Sequence, residues 1–577
     1  MPGDRPVSSA ALSRVRGSTD EPLSEGTVHG LLRTAAARWP QREAVVFREQ
    51  GLRLSWQQLV DEVELVSAGL WGVGLRRGDR VGIWSPNRIE WLLTQFATAR
   101  IGAILVGINS DYQLPELEYA LRHTGASLLV TPTLKSSKEL GNLSDGREGD
   151  AARLPGLRTV VHMGGGHVPG MRSWSDLMAL GRKHIGELPS EAMLGCGDPI
   201  SIQFTSGTTG PPKAATLTHH GIVNTAIAAS RQMRLGEADV LCTAIPLHHC
   251  FGMVLSVLAC VASGAKMVFA GEDFDPLATL SAVEDERCTA LHGVPAMFVA
   301  ALAHPEFALF DLSTLRTGIV GGAPCPIEVL RRVQRDMHMT AVSVAYGLTE
   351  ASLGAFQCAP DDTLERRAFT VGRVLPHIEV KIVDEDGRIV PTGQMGELCI
   401  RGYSVMQGYW GDPVATADAV RDGWMHTGDL AMLDEEGYCH IMGRVRDLVI
   451  RGGESIHPYE VEELLFRHPK VAAVQVFGVP DKLGGEALCA WIIAKPSEAC
   501  TEHDIRAFCR EHEMRDREPR YIRLVDDLPV TVTGKPQKFL MRELMMRELQ
   551  RAAAEPNDRI SGYSRALPEG LWEKKGV

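Results

Sequence analysis

The chain has 577 residues and a mass of 62.9 kDa, several times the usual size of one domain, so we expect more than one cooperative unit. Apolar residues make up 44% of the sequence and charged residues 23%, which argues against a disordered or fibrous chain. A net charge of −12 without a long basic stretch argues against a nucleic-acid partner. The 12 cysteines contain no C-x-x-C pair, which argues against a zinc ribbon or a disulfide framework and favours a reducing compartment.

Before Val371 the sequence alternates short apolar runs with stretches of helical spacing. Clear examples are strands over 80–84 and 104–108 and amphipathic helices over 88–100 and 114–123. This alternation predicts largely parallel sheets with crossover helices. We find no internal repeat and no long low-complexity tract.

From Val371 the pattern changes to closely spaced strands, with 378–383 and 397–400 on either side of the turn dipeptide Asp386-Gly387. This predicts a small β-rich subdomain. The pattern changes again beyond Arg446, which indicates a second domain of about 130 residues. Its predicted elements are strands over 447–451, 474–479 and 487–493, a helix over 459–467, and a helix opened by a capping box at Thr501 to Asp504.

The uncharged run from Ile245 to Ala265 is interrupted by proline, histidines and glycines, so we predict a buried helix rather than a membrane span. The first 20 residues carry arginines and serines but no apolar core, so they are not a secretory signal. We expect a cytoplasmic protein, with the mitochondrion as the alternative. The sequence does not indicate an oligomeric state.

The most informative segment runs from Thr205 to Lys213, between a predicted strand over 200–204 and a helical stretch over about 218–233. Its glycines allow close backbone approach, its hydroxyls and lysine supply donors, and it has no acid, so it suits a polyphosphate. Counting from Gly207 puts Pro212 and Ala214 where a Walker A loop needs glycine and serine or threonine, so it is not that motif. A plain surface linker is the alternative.

This segment resembles the phosphate loop of the adenylate-forming superfamily, which includes acyl-CoA synthetases, peptide-synthetase adenylation domains and luciferases. Six further signatures of that family follow in the family's order: Gly321-Gly-Ala-Pro324, Tyr346-Gly-Leu-Thr-Glu350, Trp424-Met-His-Thr-Gly-Asp429, Gly443-Arg-Val-Arg-Asp447, Arg451-Gly-Gly-Glu454 and Thr533-Gly-Lys535. The resemblance covers the chain from about 28 to 549. It implies an acyl-CoA synthetase that uses ATP, Mg²⁺ and CoA and acts on small-molecule substrates.

The resemblance implies an α/β fold. It has a large N-terminal domain of two mainly parallel sheets with helices plus a small β-barrel-like subdomain, and a smaller, mobile α+β C-terminal domain. The corresponding division is an N-terminal extension (1–27), an adenylation domain (28–445), the mobile domain (446–550) and a tail (551–577).

The resemblance also assigns roles. Lys535 is the expected catalytic lysine that bridges carboxylate and α-phosphate, Glu350 holds Mg²⁺, and His248 lies near the acyl carboxylate. Arg446 is the hinge at which the C-terminal domain rotates, and Gly452 and Gly453 line the CoA tunnel. The implied ATP ligands are Thr205, Ser206, Gly207, Thr208, Thr209, Gly210, Pro211, Pro212, Lys213, Gly322, Ala323, Tyr346, Gly347, Thr349, Asp429, Arg444 and Lys535. Among them Tyr346 lies against adenine and Asp429 accepts the ribose hydroxyls.

An acid that could pair an amino-acid substrate is absent between Ala244 and Ala265. The segment is apolar instead, and an aliphatic carboxylic acid of medium chain length is the predicted substrate. The predicted acyl pocket consists of Phe251, Gly252, Gly321 and Ala345. The neighbouring His248-His249-Cys250, with His219-His220 upstream, matches no metal-ligand spacing, so a zinc site there is disfavoured.

Three alternatives remain open. A carrier-protein-loading enzyme would usually adjoin a carrier domain, but only 42 residues follow Lys535, although a separate carrier protein stays possible. A luciferase-type oxygenase shares the motifs. A non-enzymatic nucleotide-binding protein is disfavoured by the presence of Lys535, Glu350 and the whole loop. Departures from the family pattern are Ala214, Ser455 and His457, where glycine, asparagine and tyrosine are usual, and they leave the CoA contacts less certain than the ATP contacts.

Overall fold

The structure is a computed structural model that describes residues 11–132, 154, 156–205, 212–451, 454–481, 485–495, 500–512, 514, 517–530 and 536–554. None of the helices within these ranges is long and apolar enough to cross a membrane.

The described residues form strands that are numbered in chain order. They are β1 Arg14–Arg16, β2 Glu43–Phe47, β3 Leu52–Ser55, β4 Arg80–Trp84, β5 Ile104–Ile108, β6 Leu128–Thr131, β7 Thr159–His162, β8 Arg172–Ser173, β9 Pro199–Thr205, β10 Lys213–Thr218, β11 Val240–Thr243, β12 Lys266–Phe269, β13 Ala290–His292, β14 Thr317–Gly321, β15 Ala341–Tyr346, β16 Phe356–Gln357, β17 Arg373–Val374, β18 Glu379–Val383, β19 Gly396–Arg401, β20 Gly408–Tyr409, β21 Val420–Arg421, β22 Trp424–Leu433, β23 Cys439–Arg444, β24 Val449–Arg451, β25 Glu454–Ile456, β26 Val471–Asp481, β27 Gly485–Ala494 and β28 Tyr521–Leu524.

The α-helices are α1 Val28–Arg38, α2 Trp56–Gly72, α3 Ile89–Ile101, α4 Leu114–Thr124, α5 Trp174–His184, α6 His219–Gln232, α7 Ala259–Ser263, α8 Pro276–Asp285, α9 Pro295–Ala303, α10 Ile327–Asp336, α11 Leu364–Phe369, α12 Pro413–Ala419, α13 Pro458–Phe466, α14 Glu502–Glu511 and α15 Lys538–Ala554. Short 3₁₀ turns lie at Ile185–Glu187, Glu191–Met193, Phe307–Leu309, Thr349–Ala351 and Val445–Asp447, and a π-helix at Phe251–Leu258. The capping box predicted at Thr501 is present, and the Thr501 amide donates a hydrogen bond of 2.8 Å to Asp504 Oδ2.

Two large, mainly parallel sheets form the centre of the molecule, as predicted. The first has the order β20-β10-β9-β5-β4-β6-β7-β8 and the second the order β17-β16-β15-β14-β13-β11-β12-β2-β3. Antiparallel pairs occur only toward their ends, where β10 pairs β9 and β20, β15 leads through β16 to β17, and β2 pairs β3. The parallel strands are buried on both faces, which explains their continuous apolar runs.

The helix predicted over 88–100 is α3, but it is not amphipathic in its surroundings, because all 13 of its residues are buried. It packs against α1 and α2. Its charged residues are paired: Arg88 Nε lies 3.2 Å from Glu90 Oε2, and Arg100 Nε lies 3.0 Å from Glu64 Oε1. The charged residues that made this helix look amphipathic in the sequence therefore form ion pairs within the packed structure and do not face solvent.

The predicted β-rich subdomain is a third, antiparallel sheet in the order β1-β18-β19-β22-β21, with β23 also paired to β22. Among the described residues it is an open sheet and does not close into a barrel. Its edges are β1 on one side and β21 and β23 on the other, and β1 pairs with neither β21 nor β23. Because β1 pairs with β18, part of the predicted N-terminal extension is a strand of this sheet.

The C-terminal elements form their own five-stranded sheet, in the order β25-β24-β27-β26 with β28 on β27. Apolar residues of β26 and β27 pack against α13 on one side and α15 on the other, so this unit has its own core. The predicted boundaries and the predicted mobility of this unit remain predictions.

Candidate active site

The predicted phosphate loop joins two antiparallel strands of the first sheet. Thr205 ends β9, Lys213 begins β10, and the two residues face each other in the register. The carbonyl of Pro212 accepts a hydrogen bond of 3.2 Å from Tyr119 Oη. Six residues of the loop lie outside the described ranges and stay predictions: Ser206, Gly207, Thr208, Thr209, Gly210 and Pro211. Both ends of the loop are thus anchored on one hairpin.

A tyrosine that the sequence motifs did not single out connects two predicted ATP ligands. Tyr409 lies on β20, beside β10. Lys213 Nζ lies 4.9 Å from the centroid of the Tyr409 ring, and Tyr409 Oη donates a hydrogen bond of 2.9 Å to Glu350 Oε1. Burial and the Glu350 carboxylate raise the pKa of Tyr409 well above its usual value, so the hydroxyl stays protonated and can donate. One side chain therefore contacts both a cation and an anion of the predicted phosphate site.

Glu350 lies in the 3₁₀ turn that follows β15. The two residues that follow this turn, Ser352 and Leu353, have φ values of 51° and 57°, in the left-handed region that residues with side chains rarely adopt. A Cβ at Gly347 would lie 2.3 Å from the Leu353 carbonyl carbon, so only glycine allows the chain to fold back here. The Met406 amide donates a hydrogen bond of 2.8 Å to the Glu350 carbonyl. The backbone of this turn thus fixes where Glu350 lies, and backbone strain of this kind is common at functional sites.

Tyr346, Asp429 and Arg444 form a second polar group nearby. Tyr346 Oη donates a hydrogen bond of 2.5 Å to Asp429 Oδ2, although 83 residues separate them in sequence. Arg444 Nε lies 3.3 Å from Asp429 Oδ1, because β22 and β23 pair Asp429 with Arg444. Burial and the Asp429 carboxylate raise the pKa of Tyr346 well above its usual value. The predicted adenine, ribose and nucleotide-contact residues therefore meet in one group.

The ends of two neighbouring parallel strands supply the remaining predicted ATP ligands. β14 and β15 pair Gly321 with Ala345, so the residues after them lie at the same edge of the second sheet. Gly322 and Ala323 follow β14, and Gly322 has a φ of 88°. Thr349 follows β15 in the turn that holds Glu350. The carboxyl edge of a parallel sheet is where α/β folds bind ligands.

The predicted acyl-pocket residues also lie together. A Cβ at Gly321 would lie 3.4 Å from the Ala345 carbonyl oxygen and 3.6 Å from Phe251 Cε1, so these three residues are close neighbours. Phe251 begins the π-helix, a rare element that often occurs at functional sites. A Cβ at Gly252 would lie 2.4 Å from the Pro246 carbonyl oxygen, so packing requires glycine there.

His248 lies just before this helix, and its Nδ1 is buried without a hydrogen-bond partner among the described residues. Burial lowers the pKa of His248 to about 4, so the imidazole is neutral near pH 7. A neutral ring with an unsatisfied nitrogen can bind a polar group brought by a ligand. The adjacent Cys250 Sγ is already paired and donates to Gln203 Oε1 over 2.8 Å.

Three further predicted residues lie outside the described ranges: Gly452, Gly453 and Lys535. Their roles in the CoA tunnel and in catalysis stay predictions. The predicted hinge residue Arg446 lies in the 3₁₀ turn Val445–Asp447, where its charge acts on Tyr409 and partly offsets the rise in the pKa of that residue. The hinge position and the phosphate site are therefore electrostatically connected. No sequence motif indicated Tyr409, since the only local signal is an aromatic residue after Gly408.

Comparisons with known proteins identify the family of this chain. The family model of the AMP-binding enzyme matches residues 32–410, and that of the AMP-binding enzyme C-terminal domain matches residues 460–535. The medium-chain acyl-CoA ligase ACSF2, mitochondrial, of Danio rerio is 43% identical over 567 residues, which cover 95% of this chain and 93% of that protein.

Two solved structures are also similar. MatB from Rhodopseudomonas palustris with ATP bound has a TM-score of 0.79 and 27% identity, covering 90% of this chain and 99% of its own. The Mycobacterium tuberculosis fatty acyl CoA synthetase has a TM-score of 0.72 and 26% identity, covering 92% of this chain and 99% of its own. The chain belongs to the AMP-binding enzyme family and is an acid–thiol ligase of the acyl-CoA synthetase class.

Proposed function

We propose that the protein joins a medium-chain fatty acid to CoA in two steps, through an acyl-adenylate, with release of pyrophosphate and AMP. The observation that carries the proposal is the junction at the end of β15. Ala345 lies beside Gly321, which is next to Phe251, while the residue after Ala345, Tyr346, donates to Asp429 in the polar group. An apolar acyl chain on one side and a nucleotide on the other would meet at this point.

The first step must bring a carboxylate to the α-phosphate of ATP although both are anionic. Donors and cations must collect the charge that develops in the transition state and on pyrophosphate. The phosphate-loop hydroxyls and Lys213 supply these groups on one side, and we propose that Lys535 supplies the cation that bridges carboxylate and α-phosphate. Asp429 accepts from the ribose hydroxyls, while Tyr346 lies against the base.

Mg²⁺ fits Glu350 by donor chemistry. Magnesium prefers carboxylate oxygens. Tyr409 occupies only Oε1 of Glu350, and among the described residues no hydrogen bond engages Oε2. The turn around Glu350 fixes the position of the residue through backbone contacts, which do not occupy the carboxylate oxygens. When bound, the ion would offset the negative charge of the phosphates.

His248 is proposed to hold the substrate carboxylate before attack. Its buried Nδ1 has no hydrogen-bond partner among the described residues, and His248 lies three residues before Phe251, at the start of the apolar π-helix. Because the ring is neutral, it can orient a carboxylate by hydrogen bonding without forming an ion pair that would make the carboxylate a weaker nucleophile.

The second step replaces AMP by the thiol of CoA. We propose that Arg446 is the hinge about which the C-terminal unit turns between the steps, and that Gly452 and Gly453 then border the pantetheine channel. Small residues are suited to that position because an extended pantetheine must pass close to the backbone.

A medium-chain fatty acid is the proposed substrate because the pocket segment has no acid to pair an ammonium group, and the zebrafish relative is named a medium-chain ligase. The proposed compartment is the cytoplasm, with the mitochondrion as the alternative because that relative is named mitochondrial. Fractionation of cells that express the full chain distinguishes the two.

The test is pyrophosphate release across fatty acids of increasing chain length, with and without CoA, measured together with acyl-CoA by mass spectrometry. We expect CoA-dependent turnover that is greatest at medium chain lengths. Pyrophosphate release without acyl-CoA would contradict CoA as acceptor and point to a carrier protein. Light emission with luciferin and oxygen would instead support the luciferase alternative.

Lys535→Ala tests the catalytic assignment. Adenylation should fall by about a hundredfold or more, because a charge on the transition state loses its partner. Thioester formation from supplied acyl-adenylate should be retained. The matched control is Lys495→Ala, an exposed lysine of the same C-terminal unit, which should change neither step. Equal loss of both steps in the Lys535 variant would contradict its role.

A further inference from the structure

A group of metal-ligand side chains lies on the third sheet, outside the catalytic residues assigned above. Glu397 and Cys399 are two residues apart on β19, so their side chains leave the same face of the sheet. His426, on β22, is the direct cross-strand partner of Cys399. The sheet thus brings a carboxylate, a thiol and an imidazole together from two adjacent strands.

The distances suit a small tetrahedral ion. Cys399 Sγ lies 3.5 Å from His426 Nδ1, and that nitrogen lies 2.8 Å from Glu397 Oε2. Sulfur and nitrogen ligands of tetrahedral zinc lie about 3.6 Å apart, given bond lengths of about 2.3 and 2.0 Å. The nitrogen and oxygen would have to separate by about half an ångström, which a side-chain rotation provides.

The carboxylate is held by a second contact. The Gly428 amide donates a hydrogen bond of 3.1 Å to Glu397 Oε1, which leaves Oε2 toward the histidine. Contacts of this kind from outside the ligand set orient the ligands of metal sites. Gly428 directly precedes Asp429, so an ion bound here would be connected to the segment of β22 that carries the proposed ribose ligand.

Charge and access also favour an ion. Cys399 is fully buried, whereas the side chains of His426 and Glu397 are 15% and 25% exposed, so an ion can enter from their side. On binding, the thiol proton leaves to solvent, and a thiolate and a carboxylate then neutralise a dication.

A second group of similar composition, around His29, has a geometry that does not suit a metal ion. His29 has Glu64 3.2 Å from Nε2 and Glu191 3.1 Å from Nδ1, so the carboxylates lie at opposite sides of the ring. An ion bound to one nitrogen would not reach both carboxylates. Arg100 also pairs with both glutamates. That group is an ion-pair network.

We propose that Glu397, Cys399 and His426 form a binding site for a zinc-class divalent cation, with water as the fourth ligand. The mixed thiolate, imidazole and carboxylate donors select a borderline-soft ion over Mg²⁺. The site is separate from the magnesium proposed at Glu350, and it does not depend on the acyl-CoA synthetase reaction.

The test is a titration of chelator-treated, full-length protein with Co²⁺ under reducing conditions. We expect one strongly bound Co²⁺ per chain, with the ligand-field bands of four-coordinate cobalt in the visible and a thiolate-to-cobalt charge-transfer band in the near ultraviolet. Added Zn²⁺ should displace the cobalt and abolish both signals, while millimolar Mg²⁺ should not. A wild-type protein without the charge-transfer band would overturn the proposal, whatever its variants do.

Variants identify the ligands. Cys399→Ala should remove the charge-transfer band, and Glu397→Gln, which can still accept from the Gly428 amide, should weaken binding at least about tenfold. The matched control is Cys439→Ala, another fully buried cysteine of the same sheet, which should keep the band and the affinity. A band that persists in Cys399→Ala would assign the cobalt to another thiol and overturn the proposal. Near-ultraviolet circular dichroism checks that each variant is folded.

Discussion

Two buried polar groups of this protein use similar side chains in different ways. In the nucleotide group, Tyr346 and Arg444 contact the two oxygens of Asp429. Tyr346 lies at the end of β15, while Asp429 and Arg444 lie on the paired strands β22 and β23. In the network around His29, described above, two glutamates and a histidine are packed with Arg100 between helices and a 3₁₀ turn. The first group lies at the carboxyl edge of a sheet, and the second lies within the packed helical layer.

The difference is one of charge compensation. In the His29 network every charge has an opposite partner, and Arg33 Nη1 adds a further contact of 2.9 Å to Glu191. Such a network has little to offer a ligand and contributes to stability. In the nucleotide group the charge of Asp429 is also paired, but with an arginine whose side chain is 43% exposed, and such a solvent-exposed pair is weaker. A ligand with hydroxyl groups can therefore compete for Asp429. We infer that the strength of charge compensation, rather than residue type, separates the binding group from the structural one.

Asp429→Asn should have the largest effect. The variant keeps the shape but removes the charge that accepts two ribose hydroxyls, so kcat/KM for ATP should fall about a thousandfold, or about 4 kcal/mol. The urea midpoint should change little. Steady-state pyrophosphate release and urea unfolding measure the two quantities. Asp386→Asn, on an exposed turn of the same subdomain, is the control and should match the wild type. A large loss of stability with normal ATP kinetics would place Asp429 with the structural group.

His29→Gln should reverse this pattern. Removing one partner of a buried ionic network leaves carboxylates uncompensated and costs about 3 kcal/mol, which lowers the urea midpoint. The turnover number should not change, because His29 contacts none of the proposed site residues. The control is His184→Gln, which breaks an exposed contact of 2.9 Å with Glu187 and should cost less than about 1 kcal/mol. Loss of turnover at unchanged stability would contradict the comparison.

The same network should make stability depend on pH on both sides of an optimum. Burial opposes the charge on His29, but its contacts with Glu191 and Glu64 outweigh this and raise its pKa above 6.5, so its contribution is lost as pH rises through that raised value. Contact with His29 lowers the pKa of Glu191 from 4.5 to about 2, so the contribution of Glu191 is lost as pH falls below 4.5 toward that value. The contribution is complete between these limits. Urea midpoints measured from pH 4 to 9 should show the alkaline decline, and His29→Gln should flatten it.

Sequence motifs predicted one of these groups and missed the other, for a physical reason. Tyr346, Asp429 and Arg444 each adjoin a glycine in the sequence, where the backbone requirement leaves a recognisable pattern. His29 and Glu64 lie in ordinary helices, 35 residues apart, and only packing of the helices brings them together. The helix over 88–100 was predicted to be amphipathic for the same reason, because spacing along one helix does not report what covers it.

The elements themselves were largely predictable. Strands β4 and β5 have the predicted bounds, because continuous apolar runs mark a parallel strand covered on both faces. The π-helix at Phe251–Leu258 was expected only as a buried helix, since the uncharged run carries no sign of its hydrogen-bond pattern. The sequence did not show whether the third sheet closes into a barrel. Closure depends on its short edge strands, which have no recognisable hydrophobic pattern in the sequence.

Tyr409→Phe should have the smallest effect. It tests whether the Glu350 carboxylate, which is only partly compensated by its neighbours, depends on the Tyr409 hydroxyl to bind its ligand. Glu350 would lose its one hydrogen-bond donor, but Lys213 would keep an aromatic ring beneath it. Loss of one hydrogen bond to a charged group costs about 1.4 kcal/mol, so kcat/KM for ATP should fall about tenfold, chiefly through weaker binding of Mg²⁺ and ATP. Titrations of ATP at fixed Mg²⁺ measure this.

Tyr438→Phe is the matched control for that substitution. Tyr438 Oη also donates to a carboxylate, over 2.5 Å to Asp362, and Arg366 lies over its ring at 4.1 Å, but it is remote from the proposed phosphate site. Its loss should lower stability by a similar amount and leave the ATP kinetics unchanged. Equal kinetics in the two variants would mean that the hydroxyl of Tyr409 only supports the fold. A tenfold loss confined to Tyr409→Phe would mean that this hydroxyl positions Glu350. It would also mean that a carboxylate held by a neutral donor can still bind a ligand, whereas the glutamates around His29, which are fully paired with cations, cannot.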